Sequence, residues 1–298
     1  MHERTTNQGP EYIGWWVLFQ SWSCAERAKK IPITVVTAYD YPTGLACSMN
    51  PQVDVVLVGD SLAQVCLGYP STTELTLQEM IHHSRAVARG TSHPLLVADM
   101  PFGSYHISTS DAVSNAIKLV QDGRVEAVKM EGGAEIVDIV RKLTSVGIPV
   151  MAHVGLLPQR YIALSGYRVQ GRTVEGAQKL LRDALALQEA GAFSMVVEAV
   201  PQELAKYITE KLSIPTIGIG AGPSTSGQVL VWDDLMGTWP GHKAKFVRRF
   251  ADLKGARDIG LQNYTSAVKN GSFPNDSESY SMDEAEWNKF LELENQNA

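Results

Sequence analysis

Cysteine is scarce in this sequence. Its 298 residues contain only Cys24, Cys47 and Cys66, with no CxxC spacing and no histidine placed to pair with them. That excludes a disulfide framework, argues against structural zinc and points to a reducing compartment. A basic surplus is missing too. Twenty-six Lys and Arg against 32 Asp and Glu leave a formal net charge of −6, the wrong sign for a surface that follows phosphates or an anionic membrane. Neither nucleic acid nor a membrane is therefore expected as a partner. Apolar runs are short, below the roughly 20 residues of a membrane-spanning helix. Near the start the longest covers residues 12–22, with Trp15, Trp16, Val17, Leu18 and Phe19. It lacks the basic flank and small-residue cleavage site of a signal peptide. Glu3, Glu11 and Glu26 in the first thirty residues do not suit a transit peptide. Residues 1–30 are expected to be an arm of unassigned role, packed on the body or on a neighbouring subunit.

What is present is an ordinary globular mixture, 44% hydrophobic and 19% charged, rather than the apolar-poor composition of a disordered chain. Between the ends one pattern repeats eight times: a short β-branched run, a polar or glycine residue that closes it, then a helical period. The runs cover residues 33–39, 53–59, 94–98, 125–130, 149–152, 194–197, 216–219 and 228–232. Their near-continuous Val, Ile, Leu, Ala and Met suit parallel strands buried on both faces. Helical spacing follows over residues 111–120, 134–146, 174–190 and 202–212, and from Thr76 to Gly90, with Gly90 expected as the C′ residue. Thr173 stands where an N-cap belongs. Eight alternations indicate a single (β/α)8 barrel over residues 31–270. An open doubly wound sheet is the competitor, suggested by Gly218-Ile219-Gly220-Ala221-Gly222. A dinucleotide loop, however, should open the first βα unit, and this run comes seventh. Residues 271–298 read as an acidic tail with a possible short helix over residues 282–293.

The residues closing the strands carry the chemistry. They are Asp40, Asp60, Asp99, Glu131, His153, Glu198, the glycine run and Asp233-Asp234. In a barrel all lie on the C-terminal rim, where barrel enzymes place their active sites. So much negative charge on one rim raises pKa values unless a cation or a shared proton relieves it. Asp60, Asp99 and Glu131 close three neighbouring strands, roughly 4.8 Å apart. They are read either as oxygen ligands of one Mg²⁺ or Mn²⁺ ion or as three separate helix caps. Lys129, two residues before Glu131, points the same way along a strand. It is a salt-bridge partner, a holder of a substrate carboxylate, or a Schiff-base lysine. His153 is either a satisfied core histidine or a hydrogen-bonding partner of a substrate oxygen. Glu198 ends an apolar strand, a setting that lifts a carboxyl group into general-base range.

Several blocks then stand in order along the chain. They are Thr37-Ala38-Tyr39-Asp40-Tyr41-Pro42, Leu57-Val58-Gly59-Asp60-Ser61-Leu62, Ala98-Asp99-Met100-Pro101-Phe102-Gly103-Ser104-Tyr105 and Val128-Lys129-Met130-Glu131-Gly132-Gly133. Ala152-His153-Val154-Gly155-Leu156, Gly166-Tyr167-Arg168-Val169-Gln170-Gly171-Arg172 and Ile217-Gly218-Ile219-Gly220-Ala221-Gly222 follow. Together they resemble the signatures of the ketopantoate hydroxymethyltransferase family over about residues 31–274. The resemblance implies a barrel of the phosphoenolpyruvate mutase/isocitrate lyase type. It implies transfer of a hydroxymethyl group from 5,10-methylenetetrahydrofolate, as co-substrate, to 3-methyl-2-oxobutanoate, giving 2-dehydropantoate for pantothenate synthesis. Mg²⁺ or Mn²⁺ is the implied metal, and a ring-like homo-oligomer, often a decamer, the implied assembly. By position, Asp60 and Asp99 match metal-linked aspartates that also meet the substrate, and Glu131 matches the third metal-site acid. Ser61, Lys129 and His153 match substrate binders, and Glu198 matches the proton acceptor.

The match loosens in places. Residues 1–24 fit no family block, Ser165 stands where a glycine is usual, and Ser226 and Trp232-Asp233-Asp234 replace common acidic and histidine-aspartate pairings on the folate side. Trp239-Pro240-Gly241-His242-Lys243-Ala244-Lys245-Phe246 resembles fungal-type members, which implies the mitochondrial matrix; the N-terminal composition favours the cytoplasm instead. Two rival readings are a Mg²⁺-dependent 2-oxo acid lyase or aldolase of the same superfamily, and a non-catalytic barrel that serves as an assembly partner.

Overall fold

The computed structural model describes residues 31–163, 166–241 and 243–297. The expected arm over residues 1–30, with its aromatic run and Cys24, lies outside them. The eight apolar runs form eight parallel strands that pair in sequence order and close, β1 lying against β8. The strands are β1 (Ile33–Thr37), β2 (Val55–Val58), β3 (Leu95–Asp99), β4 (Ala127–Glu131), β5 (Val150–Gly155), β6 (Ser194–Glu198), β7 (Thr216–Ile219) and β8 (Gly227–Leu230). Alternate residues serve two separate cores. Val35, Val55, Leu57, Leu95, Val97, Ala127, Met151 and Val196 fill the barrel. Val36, Val56, Val58, Leu96, Ala98, Val128 and Met130 face outward onto helix residues such as Met80, Val87, Leu119, Leu143 and Leu187. A strand with an apolar neighbour on either face has no use for a polar position, which is why the runs read as continuous.

The helices that follow the strands are α1 (Tyr41–Ser48), α2 (Leu62–Val65), α3 (Leu77–Gly90), α4 (Thr109–Gln121), α5 (Val137–Ser145), α6 (Val174–Glu189), α7 (Gln202–Lys211) and, after β8, α8 (Trp232–Met236). Thr76 and Glu79 cap α3 reciprocally, and Thr173 caps α6. Three expectations are corrected. Gly90 is the last helical residue of α3 rather than a left-handed C′ residue. A Cβ there would fall 2.6 Å from backbone atoms of Leu45 and Tyr41, so the glycine allows α3 to lie against α1. The helix expected over residues 134–146 starts as a 3₁₀ turn, Ala134–Ile136, before α5. The last strand ends at Leu230, and Trp232 opens a helix instead of closing a strand.

The described residues divide into two compact units, one running to residue 235 and including 241–249, the other made of residues 236–240 and those from 250 onward. In the second unit α9 (Leu253–Asn270) groups with the C-terminal residues. The short helix expected over residues 282–293 is α10 (Glu284–Asn297), with Trp287 and Phe290 stacked at 5.4 Å between ring centres. Cys47 and Cys66 are free thiols, and among the described residues no helix is long and apolar enough to cross a membrane.

Candidate active site

Register, more than strand length, builds the site. In the β3–β4 pairing Asp99 lies beside Lys129, and in the β4–β5 pairing Glu131 lies beside His153. Lys129 Nζ donates to Asp99 Oδ1 at 2.5 Å, with both side chains almost wholly buried. The other oxygen of Asp99 accepts the backbone N–H of Asp60 at 2.8 Å. His153 stands between two acids: its Nδ1 lies 3.7 Å from Glu131 Oε1 and its Nε2 3.2 Å from Glu198 Oε2. Neither ring nitrogen of His153, nor Glu131 Oε1, has a hydrogen-bond partner within the protein. A core histidine held only for packing would have its nitrogens satisfied. The strand-end reading of His153 shifts slightly, because β5 continues to Gly155 and keeps the ring inside the ladder.

Six of the sequence-predicted rim residues thus converge: Asp60, Asp99, Lys129, Glu131, His153 and Glu198. Asp40 does not. It is exposed and caps α1, its carboxylate accepting the backbone N–H of Thr43. The glycine run is a packing device, since a Cβ on Gly220 would lie 2.7 Å from the Phe246 ring.

Burial and crowding set the protonation of these groups. Burial, reinforced by the charge of Asp99, pushes the Asp60 carboxyl up to about 7, against the pull of Lys129 and a hydrogen bond from Gln159. Burial and then Asp60 hold Glu131 well above the usual carboxyl range. Burial raises Glu198 to about 8, with Asp99 adding to the shift and Lys129 opposing it. His153 is held well below its ordinary value by burial and by Lys129, and stays neutral. Burial pulls Lys129 down, but Asp99, Glu131 and Asp60 outweigh it and hold the ammonium above its ordinary value.

One cation therefore faces three acids besides its own partner, Asp60 and Glu131 buried and Glu198 half-buried. Such a surplus, with an unpartnered Glu131 oxygen, suits a hard divalent ion bound by oxygen. The sequence expectation places three carboxylates, Asp60, Asp99 and Glu131, on one ion. Among the described residues no three His, Cys, Asp or Glu side chains are grouped closely enough to hold a metal. Asp99 is tied to Lys129, and Glu131 Oε2 accepts the backbone N–H of Gln159 at 3.0 Å. Mg²⁺ commonly takes only one or two protein carboxylates, with substrate and water supplying the rest. The Asp60–Asp99 pair fits that pattern, with Glu131 behind it.

Sequence reasoning missed Gln159. It sits on the 3₁₀ turn Pro158–Arg160 after β5, and its amide nitrogen donates to Asp60 Oδ2 at 2.9 Å and to the carbonyl of Met100 at 3.0 Å. Its amide oxygen accepts the hydroxyl of Tyr105 at 2.7 Å. The only hint was a polar residue just beyond the strand-5 block. Gln159→Leu removes the hydrogen-bond partner of Asp60 Oδ2 and the Gln159 contact of Tyr105. It is expected to lower stability by at least about 2 kcal/mol in chemical denaturation, since buried polar groups left unpaired cost roughly 1–3 kcal/mol each. An unchanged denaturation midpoint would remove Gln159 from this role.

The profile of the ketopantoate hydroxymethyltransferase family matches residues 22–276, well over half of the chain. The chain belongs to this family. The 3-methyl-2-oxobutanoate hydroxymethyltransferase of Heliobacterium modesticaldum is 50% identical over 262 residues, covering 88% of this chain and 95% of that protein. The enzyme of the same name from Carboxydothermus hydrogenoformans is 50% identical over 250 residues, 84% of this chain and 90% of that protein. These relatives are bacterial and lend no support to a mitochondrial location. Among solved structures, a phosphonopyruvate hydrolase in complex with oxalate and Mg²⁺ aligns with a TM-score of 0.57 at 14% identity, covering 95% of each chain. A 2,3-dimethylmalate lyase of the PEP mutase/isocitrate lyase superfamily aligns with a TM-score of 0.52 at 15% identity, covering 94% of this chain and 98% of that one. This barrel thus has the fold of that superfamily, as the family resemblance implied.

Proposed function

We propose that the protein transfers a hydroxymethyl group from 5,10-methylenetetrahydrofolate to 3-methyl-2-oxobutanoate, giving 2-dehydropantoate. The observation that carries the reading is a family match over nearly the whole barrel, joined to a half-buried carboxyl group, Glu198, raised to about 8 beside a neutral His153. In balance, the C3 proton of the 2-oxo acid is removed and C3 bonds to the folate methylene carbon. Water supplies the hydroxyl group and tetrahydrofolate departs.

A Mg²⁺ or Mn²⁺ ion held by Asp60 and Asp99 would polarise the keto group of the substrate. The other roles belong to the chain's own residues. Glu198 takes the C3 proton, and a base whose pKa lies near the working pH is suited to that task. Lys129, fixed by Asp99, offers an ammonium to the substrate's anionic oxygens and favours charge that develops there as C3 is deprotonated. Ser61 holds a substrate oxygen through its hydroxyl. His153, neutral and with Nε2 3.2 Å from Glu198 Oε2, backs Glu198 and is placed to meet substrate. As in the family, the working form is proposed to be a homo-oligomer.

The test is proton exchange. Incubated with 3-methyl-2-oxobutanoate in D₂O and Mg²⁺, the protein should wash out the C3 proton by NMR without folate, and form 2-dehydropantoate once methylenetetrahydrofolate is added. Exchange without that product would favour a folate-independent lyase or aldolase, and no exchange with any divalent metal would sink the proposed half-reaction. The pH dependence follows in sign. Glu198 acts as a base only when deprotonated, so kcat/KM should climb about tenfold per pH unit on the acid side and level off near pH 8. A pH–rate profile with no such limb between pH 6 and 8 would contradict the assignment.

A further inference from the structure

A chain of hydroxyl groups runs behind Ser61. The backbone N–H of Trp232 donates to Thr37 Oγ1 at 2.8 Å. The Thr37 hydroxyl donates in turn to the Tyr39 phenol at 2.8 Å, and the phenol lies 2.8 Å from Ser61 Oγ. Thr37 and Tyr39 are buried, 3% and 2% exposed, so water does not compete for these bonds. The backbone N–H at the head can only donate, and the Thr37 hydroxyl spends its proton on Tyr39 rather than accepting from it. Each hydroxyl then accepts once and gives its single proton onward. Tyr39, having accepted from Thr37, has its proton left for Ser61, and Ser61, having accepted, has its own proton left to give.

We propose that Thr37 and Tyr39 are positioning residues that direct the Ser61 hydroxyl proton outward, so that Ser61 meets the substrate as a donor. With the opposite polarity Ser61 would spend its proton on Tyr39 and present only lone pairs to an anionic 2-oxo acid. The backbone of Tyr39 is pinned on both sides, which keeps the phenol in line. Its N–H donates to Thr43 Oγ1 at 3.0 Å and its carbonyl lies 2.6 Å from His83 Nδ1. Burial also holds the phenol protonated far above its ordinary value, so the link carries its proton at every working pH. The β1–β8 closure is what supplies the head of the chain, since β1 carries Thr37 and Trp232 follows β8. A tryptophan at position 232 changes the side chain there but keeps the backbone donor.

The inference rests on the reading of Ser61 as a substrate binder, and a double-mutant cycle separates the two. Ser61→Ala is expected to raise KM for the 2-oxo acid roughly tenfold, with a smaller change in kcat, and Tyr39→Phe to raise it roughly fivefold. In the Ser61→Ala background Tyr39→Phe should add less than about twofold, because the proton it directs is already gone. Thr37→Val should reproduce part of the Tyr39→Phe effect, and Thr37→Ser, which keeps the hydroxyl, should reverse it. These two variants decide the matter if Tyr39→Phe does not fold. If Tyr39→Phe costs the same factor with and without Ser61, or if Thr37→Val leaves KM untouched, Thr37 and Tyr39 do not act through Ser61. If Ser61→Ala alone leaves KM unchanged, the reading of Ser61 fails and takes the inference with it.

Discussion

Glu198→Gln is expected to lower kcat by roughly 10²–10⁴, the usual worth of a positioned general base, while 2-oxo acid and metal binding persist. The substitution keeps shape and removes only the ability to take a proton. It should also abolish C3 exchange in D₂O, which locates the loss in proton removal rather than in folate chemistry. Stability supplies an independent control with a definite sign. Burial raises the Glu198 pKa from an unfolded value near 4.5 to about 8. The folded chain therefore holds its proton more tightly than the unfolded chain, and the group's contribution to stability declines as pH rises from about 4.5 to about 8. Glutamine does not titrate, so the variant should gain on the native protein across that window in thermal melts at pH 5 and pH 8. A variant with kcat within threefold of the native enzyme would remove Glu198 from the role of base.

Lys129→Met is expected to have the largest effect on stability. Lys129 and Asp99 form a pair with side chains 6% and 3% exposed, and removing one partner of a buried pair costs about 3–5 kcal/mol because the other is left charged and unsolvated. Here the cost has company. Lys129 is also the charge that pulls down Asp60, Glu131 and Glu198, so without it all three rise further and the site takes up protons. The deficit should be greatest near pH 8, where the acids would be ionised, and smaller near pH 5, where they are protonated. The double variant Lys129→Met/Asp99→Leu should recover much of the lost stability and none of the activity. Chemical denaturation across that pH range checks each statement. Equal stability of Lys129→Met and the native protein at pH 8 would mean that the Asp99 charge is relieved by something else.

The sequence made the barrel legible because the signal was local. Runs such as Val55–Val58 are apolar on both faces, and a buried parallel strand leaves that mark without knowledge of its neighbours. The acids were legible for the same reason, each standing at the end of its own strand. What escaped was whatever depends on contacts between distant segments. Gln159 reaches Asp60 across 99 residues, and nothing in Pro158-Gln159-Arg160 announces it. Asp40 looked equivalent to Asp60 by position, yet it faces solvent as a helix cap. Glu131 aligned with the expected metal acids, but a backbone N–H from the turn after β5 claims one of its oxygens. Spacing along one strand cannot show which oxygen a neighbouring loop will take.

The contact between the backbone of Trp232 and Thr37 joins residues 195 positions apart, at the seam where the first strand meets the last. The site is consequently completed only at that seam. The acids of β3 and β4 can be in place while the seam is open, but the hydroxyl line to Ser61 lacks its head until the eighth strand docks. During synthesis or refolding, substrate affinity should therefore appear late and all at once, after the central strands are protected from hydrogen exchange. Tight binding of the 2-oxo acid would then report that the ring has closed, and the ligand, by holding Ser61, would in return resist its opening.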